Sequence, residues 1–553
     1  MRLKSPHRSR NTCHGVSQKD RRGFVMMIIT IILVLLAFAT LAYMGQMQTE
    51  YRASSMFGRD IEARMAAESG IEFAAAQIAI KESDPSIDVY HNPALFYKRA
   101  MGEVENLAGQ TRFSILVPHI TGDQGGIPRS GMSTENAKFN INRLIEFEND
   151  TDEATDPFTA VSFVPGMTEE ITNAILDWID TDDTTDRTGG AESSTYEGLA
   201  VPYSARNGPM ESIDELLKVQ GVTPLLFYGE DANRNGILDP NEDDGEEKPP
   251  SDNADGMLDL GFRDYLTVSS RERNRLPGGE KKININNGIV AEMHDFIEDD
   301  PDLGTEMAIF ITGYRMTGDQ KADSAAQGKL TIEQQQLVDW IAKNISNGEL
   351  GQVTRNGMDL SEPPEWSFRS IYDLIDAEVQ LDISGAPTTL TSPWSSNDPS
   401  RLTEQMLLLE KKLTVLNDEF IDGRININIA PKEVLMAMPD MTEALANKII
   451  ESRPPVIAGG MSEQMMATRI SPIWLLTEGL VDLPTLKRLG PWLTTGGDVY
   501  TLQVLGHFDV GGPTTRLEAM IDATMTPPRI TFQRDLTGLG RGFDPAILDP
   551  ANQ

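Results

Sequence analysis

From Phe24 to Met44 the chain reads FVMMIITIILVLLAFATLAYM, twenty-one residues without a single charge. At ~1.5 Å per residue a helix of that length reaches about 31 Å, the thickness of a bilayer's hydrocarbon core. Seven basic residues precede it (Arg2, Lys4, Arg8, Arg10, Lys19, Arg21 and Arg22) against one acid, Asp20. The positive-inside rule therefore puts residues 1–22 on the cytoplasmic side and everything after about residue 45 outside. Ala42-Tyr43-Met44-Gly45 is a poor small-residue cleavage site, and the apolar run is too long for an ordinary secretory signal. A permanent anchor is expected.

Beyond the anchor the chain is strongly acidic. The formal charge of all 553 residues is −36 although the leader is basic. Such a body repels phosphate backbones and anionic lipid surfaces. Cys13 is the only cysteine and lies in the leader, so no intrachain disulfide forms. The 39% hydrophobic content fits a globular protein, and the length suits several domains.

Arg21-Arg22-Gly23-Phe24 resembles the site at which prepilin peptidase cuts type IV pilin-like precursors, between Gly23 and Phe24. The following stretch, Tyr51 to roughly Lys81, has no proline and only two glycines. It is expected to continue the apolar helix as one rod, and Ala66-Ala67-Glu68-Ser69-Gly70-Ile71-Glu72 is similar to the second half of pilin helices. Most pilins carry a glutamate five residues into the mature chain; here that position is Ile28. A carboxylate in lipid without a partner is costly, and a subunit with nothing above it has no use for one. Lack of that glutamate is a trait of the general secretion pathway protein K (GspK) family, the minor pseudopilins that this family places at the tip of the type II secretion pseudopilus.

The remainder contains an internal repeat. Phe139-Asn140-Ile141-Asn142, Ile283-Asn284-Ile285-Asn286 and Ile425-Asn426-Ile427-Asn428 recur at intervals of 144 and 142 residues. Each opens a segment with a Ser-led helix start, at Ser212, Ser370 and Ser471, where a serine oxygen serves as an N-cap and Pro472 suits a first helical position. A β-branched run is expected to close each copy: Leu266-Thr267-Val268, Leu413-Thr414-Val415 and Tyr500-Thr501-Leu502-Gln503-Val504.

Copies one and three carry helix-hairpin-helix patterns, Val164-Pro165-Gly166-Met167-Thr168-Glu169-Glu170 and Met438-Pro439-Asp440-Met441-Thr442-Glu443. With the run 426–435 they resemble the helical SAM-like domain of the same family, as do the Asp177-Trp178, Gly190-Ala191-Glu192 and Tyr196 landmarks. The pattern also resembles hairpins of membrane-anchored DNA receptors, which present glycine-flanked amides to phosphate. Here Thr168 and Thr442 stand in the second glycine position, and glutamates crowd both helix starts. Those carboxylates favour the helix dipole and oppose a phosphate, so protein packing is the expected role.

Asp231-Ala-Asn233-Arg-Asn235-Gly236-Ile237-Leu-Asp239-Pro-Asn-Glu242 fits the twelve-residue EF-hand loop throughout. Asp231, Asn233, Asn235, Asp239 and Glu242 would offer side-chain oxygens and Ile237 its carbonyl, with Gly236 at the sharp turn. Glu246-Glu247-Lys248-Pro249-Pro250 cannot start an exit helix. A degenerate version follows at Asn253, Asp255, Gly256 and Asp259. Calcium is the expected cofactor, one or more ions, and the family resemblance implies it too. No enzyme is expected: the histidines at 7, 14, 91, 119, 294 and 507 form no pair at metal-ligand spacing, and no nucleophile elbow or P-loop occurs.

The expected build is α+β. Residues 1–23 form the leader, 24–44 the transmembrane helix and 45–82 its periplasmic half. Residues 105–120 and 497–535 supply a small antiparallel pilin-like sheet. Helical modules at 136–270, 280–418 (with insertions over 322–400) and 423–496 are inserted in it, and 536–553 is a tail. The resemblance implies a single-pass inner-membrane protein with a large periplasmic part. Its implied partners are other minor pseudopilins, the major pseudopilin and prepilin peptidase, with no nucleic acid. A type IV pilus minor pilin and an anchored DNA receptor remain alternatives.

Overall fold

The computed structural model describes residues 18–84, 87–102, 109–118, 128–149, 156–185, 187–322, 327–330, 334–336, 338–340, 343, 353–453, 468–509 and 511–544, with side chains from residue 24 onward. The leader residues 1–17, including Cys13, and the last nine residues lie outside these. The chain divides into two units, Met1–Ala63 and Arg64–Gln553.

In the first unit the described chain is helical. Helix α1 runs Gln18–Ser83, so Gly23 and Phe24 sit inside a continuous helix. Phe24–Met44 is exposed throughout, and the run has a mean hydropathy of 3.0 over its most apolar window. Thr30 and Thr40 hide their hydroxyls by donating to the Met26 and Leu36 carbonyls one turn back, a common device for a hydroxyl without water.

In the second unit residues 64–83 of α1 lie on an antiparallel sheet. Strands β1 (Arg99–Ala100), β2 (Thr111–Val117), β3 (Arg129–Ser130) and β4 (Ser133–Thr134) precede a long excursion. Strands β5 (Val499–Phe508), β6 (Thr515–Asp522) and β7 (Arg529–Asp535) follow it. The order is β1-β2-β5-β6-β7, with β3 on β2 and β4 on β5. Register is fixed by residues such as Val504, opposite Ile115 on one side and Leu517 on the other. Small residues on the helix (Ala66, Ala67 and Ala74) let it approach, and with Ile71 and Ile78 they are buried against Phe113, Val504 and Ala519. At Gly70 an added Cβ would lie 2.5 Å from Val504 Cγ1 and 3.0 Å from Phe113, so even alanine would overpack this contact.

Between β4 and β5 the chain closes three segments by two-residue parallel pairings. Phe139–Asn140 pairs with Leu266–Thr267, Ile283–Asn284 with Leu413–Thr414, and Ile425–Asn426 with Leu493–Thr494. The last pairing corrects the sequence reading of the third segment. Tyr500–Val504 belongs to β5, where backbone pairing with β6 takes one edge and pairing with β4 and β2 the other. The principal helices here are α2 (Glu169–Ile179), α3 (Val290–Asp299), α4 (Gly304–Thr317), α5 (Pro399–Lys412), α6 (Glu443–Glu451) and α7 (Leu483–Leu489). Their apolar faces join one continuous core containing Trp178, Phe310, Trp394, Trp474 and Trp492.

Each Asn-Ile-Asn performs the same task. The first side chain accepts the N–H of the second asparagine, at 3.2, 2.8 and 3.0 Å for Asn140, Asn284 and Asn426. The second reaches the backbone two residues before a capping serine: Asn142 to Met210, Asn286 to Phe368 and Asn428 to Arg469. Ser212 and Ser370 then form capping boxes with Glu215 and Asp373, and Ser471 accepts from the Ile473 N–H.

The insertions over 322–400 are not merely loop. Glu378–Ile383 and Ala386–Thr391 form a hairpin around Ser384-Gly385, and Thr354–Arg355 pairs with Met358–Asp359 around Asn356-Gly357. All four turn residues have positive φ, as a primed hairpin turn requires.

Candidate functional site

The EF-hand-type loop follows the short helix Pro224–Tyr228 and turns back on itself through Gly236. Gly236 has φ +68°, and an added Cβ would collide with Pro118. Asp231, Asn235 and Glu242 are buried. The Asp231 carboxylate accepts the Asn235 and Gly236 N–H groups at 3.0 and 2.8 Å. Glu242 reaches back across the loop to accept from the Ala232 and Asp239 N–H groups at 3.0 and 3.1 Å. Asn233 and Asn235 both donate to Asp239 Oδ2, and the buried Oδ1 of Asn233 has no partner. The carboxylates of Asp231 and Glu242 are thus tied to the loop's own backbone, and Asn233 and Asn235 to Asp239.

No lysine or arginine forms an ion pair with Asp231, Asp239 or Glu242 among the described residues. Burial pushes the Asp231 carboxyl up from its ordinary value and that of Glu242 to about 7. Buried oxygen donors with no direct ion pair, one of them orphaned, fit a hard divalent cation, although the Arg516 charge also acts on Asp231. The residues that fasten the loop come from far along the chain. Gly542 O accepts from Asn235 at 2.6 Å, Gln503 donates to the Arg234 carbonyl at 2.7 Å, and Arg516 donates to the Asn233 carbonyl.

The degenerate second loop lies beside the first, joined by the Gly229–Leu260 bridge. Sequence reasoning named Asp255 and Asp259 here but missed the acids that hold the loop. Glu230, not a position of the loop itself, accepts from the Asn253 and Asp259 N–H groups, both at 3.2 Å, spanning this loop much as Glu242 spans the first. Asp243 accepts from Gly256 N–H and Asp252 from Gly245 N–H.

A separate acidic corner unites Asp177, Asp180 and Glu192. Arg187 bridges Asp177 and Asp180. Glu192 is buried with both oxygens unpartnered, and burial, then the charges of Asp180 and Asp177, raise it to about 7. Gly190 is required here because a Cβ would strike Asp177 Oδ2. Trp178 meets Tyr196 edge-on at 5.2 Å, and Tyr196 stacks on Tyr203.

Both helix-hairpin-helix turns are filled by their own side chains. Gly166 and Asp440 take equivalent positive-φ turn positions, at +76° and +58°. Thr168 and Thr442 then accept the Ile171 and Leu445 N–H groups at 3.3 and 3.2 Å, occupying amides that a phosphate would need.

Family models for the type II secretion system (T2SS) protein K match residues 137–228 and 425–464. Two stretches of the chain are thus similar to protein K of this system. The first match contains the acidic corner and one hairpin turn, and the second the other hairpin turn. The middle segment falls in neither. Type II secretion system protein K of Aeromonas hydrophila is 45% identical over 58 residues, 10% of this chain and 18% of that protein. The protein of the same name from Pectobacterium carotovorum subsp. carotovorum is 31% identical over 113 residues, 19% and 34% of the two chains. The chain thus aligns with about a third or less of the length of these relatives. A solved structure described as the GspK-GspI-GspJ complex from the enterotoxigenic Escherichia coli type 2 secretion system covers 88% of this chain and 99% of its own, at 12% identity and TM-score 0.35.

Proposed function

We propose that this protein is a minor pseudopilin that caps the tip of the type II secretion pseudopilus and supports its assembly for secretion across the outer membrane. The observation that carries this reading is the pair of protein K matches, which lie in the first and third of the three inserted segments. The exposed apolar run Phe24–Met44 supports a single inner-membrane span with the rest of the chain in the periplasm. Cleavage between Gly23 and Phe24 by prepilin peptidase, followed by methylation of Phe24, would leave that run at the new terminus. Ile28, in place of the filament glutamate, suits a subunit with none above it. Other minor pseudopilins, as in the complex named for the solved neighbour, and the major pseudopilin are the partners of this reading. The role is structural, not enzymatic.

In the same reading β1–β7 with residues 64–83 form a pilin-like head, and the three closed segments are copies of one SAM-like module. Asp231, Asn233, Asn235, the Ile237 carbonyl, Asp239 and Glu242 would hold calcium, which supplies the positive charge that no direct ion pair gives these oxygens. Threonine caps and first-turn glutamates at both hairpins speak against nucleic acid.

A deletion strain complemented with the full chain tests the reading. Restored exoprotein secretion is expected, with a mature chain that begins at methylated Phe24 by mass spectrometry. Restoration of twitching or DNA uptake without secretion would instead favour a pilus subunit or DNA receptor.

A further inference from the structure

Beyond β7 the described chain continues as a strap, residues 536–544, in which Leu536 and Phe543 alone are buried. Phe543 closes a small second core with Leu116 of β2 and Leu505 of β5, and Ile237 of the EF-hand-type loop packs against it. The chain neighbours Ile115 and Val504 lie in the core under α1, so strand alternation puts Leu116 and Leu505 on the opposite face of the sheet. Arg516 of β6 shares that face, because its neighbour Leu517 is also in the helix-side core. Loop and strap therefore meet on the sheet face turned away from α1.

Two loop positions with oxygens to offer a cation also hold the strap. The Asn235 oxygen accepts the Ile237 N–H at 2.7 Å, and its amide nitrogen donates to Asp239 Oδ2 at 3.0 Å and to the Gly542 carbonyl at 2.6 Å. The amide is planar, so whatever fixes its oxygen also aims its nitrogen at Gly542. Ile237, whose carbonyl is the next donor, packs its side chain on the Phe543 core. Arg516 is the third link. It donates to the Asn233 carbonyl and stands 5.8 Å from the centre of the Phe543 ring. A Cβ at Gly542 would lie 1.5 Å from its Nη1, so only glycine lets the strap pass. The Arg516 charge acts on Asp231, yet its guanidinium is spent on the Asn233 carbonyl rather than on that carboxylate.

We propose that the strap is a positioning element of the calcium-type loop, so that cation binding and docking of residues 537–544 are one coupled event. This rests on calcium as the occupant of the loop. The docked strap holds the Asn235 amide and Ile237 in the donor arrangement and keeps Arg516 on the Asn233 carbonyl. With the strap away, Arg516 is free to turn onto Asp231 and take the place of the cation. Coupling of this kind is reciprocal: calcium favours the docked strap by the factor by which docking tightens calcium.

The full-length protein in detergent, stripped with a chelator, is titrated with calcium by calorimetry. Hydrogen exchange of residues 537–544 is followed by mass spectrometry with and without the ion. The heat that Asp231→Asn combined with Glu242→Gln removes belongs to the loop. Calcium is expected to slow exchange in the strap by roughly tenfold. Phe543→Ala should weaken binding at the loop by roughly tenfold, whereas Leu539→Ala, exposed on the same strap, should leave it unchanged. Asn235→Asp keeps an oxygen for the ion and loses the donor to Gly542, so it should bind calcium without protecting the strap. That variant also decides the matter if Phe543→Ala does not fold. Binding at the loop with no change in strap exchange would overturn the coupling and leave calcium in the loop standing, as would protection that persists in Asn235→Asp. Binding heat that the double variant leaves intact would overturn both.

Discussion

Asn286 holds four hydrogen bonds with one side chain. Its amide donates to the Phe368 and Val415 carbonyls at 2.8 and 3.0 Å, and its oxygen accepts from Phe368 N–H and Arg315 Nη1 at 2.8 and 3.0 Å. Arg315 is itself buried, which lowers its pKa to about 10, so it has no water to turn to. Asn286→Ala would strand those groups and should destabilise the protein by about 2–4 kcal/mol, read from urea denaturation. His507 illustrates the opposite balance. It is buried beside Ser114, 3.2 Å away, and burial first, then Arg541 and Lys98, lower its pKa to about 4. The unfolded chain binds a proton here near pH 6.5, so the folded state loses stability as pH falls from about 6.5 through 4. The contribution is on the order of 3 kcal/mol. Denaturation midpoints at pH 7, 5 and 4 should follow this slope, and His507→Gln should flatten it.

At the scale of elements, the EF-hand-type loop was legible because all its donors lie within twelve residues and their spacing mirrors one turn geometry. What makes it rigid was not legible. Gly542 and Arg516 close it from 307 and 283 positions away, and no local pattern announces such partners. With the cation site as proposed, calcium at a hundred times its dissociation constant should stabilise the fold by roughly 2.7 kcal/mol. A calcium-dependent rise in Tm is expected for the full chain. Asp231→Asn combined with Glu242→Gln should remove it and also lower the calcium-free Tm, because each new amide nitrogen faces a backbone N–H that the lost oxygen accepted. The hairpins at 354–359 and 378–391 were missed for a different reason. Asn-Gly and Ser-Gly did mark turns, but their strands are too short, or too polar on one side, to stand out from loop sequence.

At the scale of the whole molecule, the second and third segments meet at a charged cavity of about 290 Å³ lined by Lys282, Tyr372, Glu410, Arg424 and Thr494. Glu410 accepts from Tyr372 Oη at 2.9 Å and Ser471 Oγ at 2.5 Å, and burial lifts its pKa to about 7. The folded protein thus holds a proton that the unfolded chain releases near pH 4.5. This contribution is complete below pH 4.5 and fades as pH rises to about 7. Glu410→Gln, which keeps the acceptor oxygen and cannot ionise, should raise stability relative to wild type at pH 8 and leave it unchanged at pH 5. Differential scanning calorimetry at the two pH values checks the sign.

The sequence by itself determined the apolar run Phe24–Met44, the three Asn-Ile-Asn openings, the serine caps and the donor spacing of the EF-hand-type loop. Each is a short-range pattern in which neighbouring residues supply both halves of the interaction. Tertiary structure alone decided that Leu493–Thr494, not Tyr500–Val504, pairs with Ile425–Asn426. Both runs are β-branched or apolar enough to form strands, and the choice rests on which backbone edges β2, β4 and β6 leave free. It also decided which charges lose their water. Glu192 stood out only as part of a landmark and His294 not at all, yet burial leaves both carboxylate oxygens of the one and Nδ1 of the other without partners. Burial is a property of the packed molecule, and with it comes the chemistry that those groups carry.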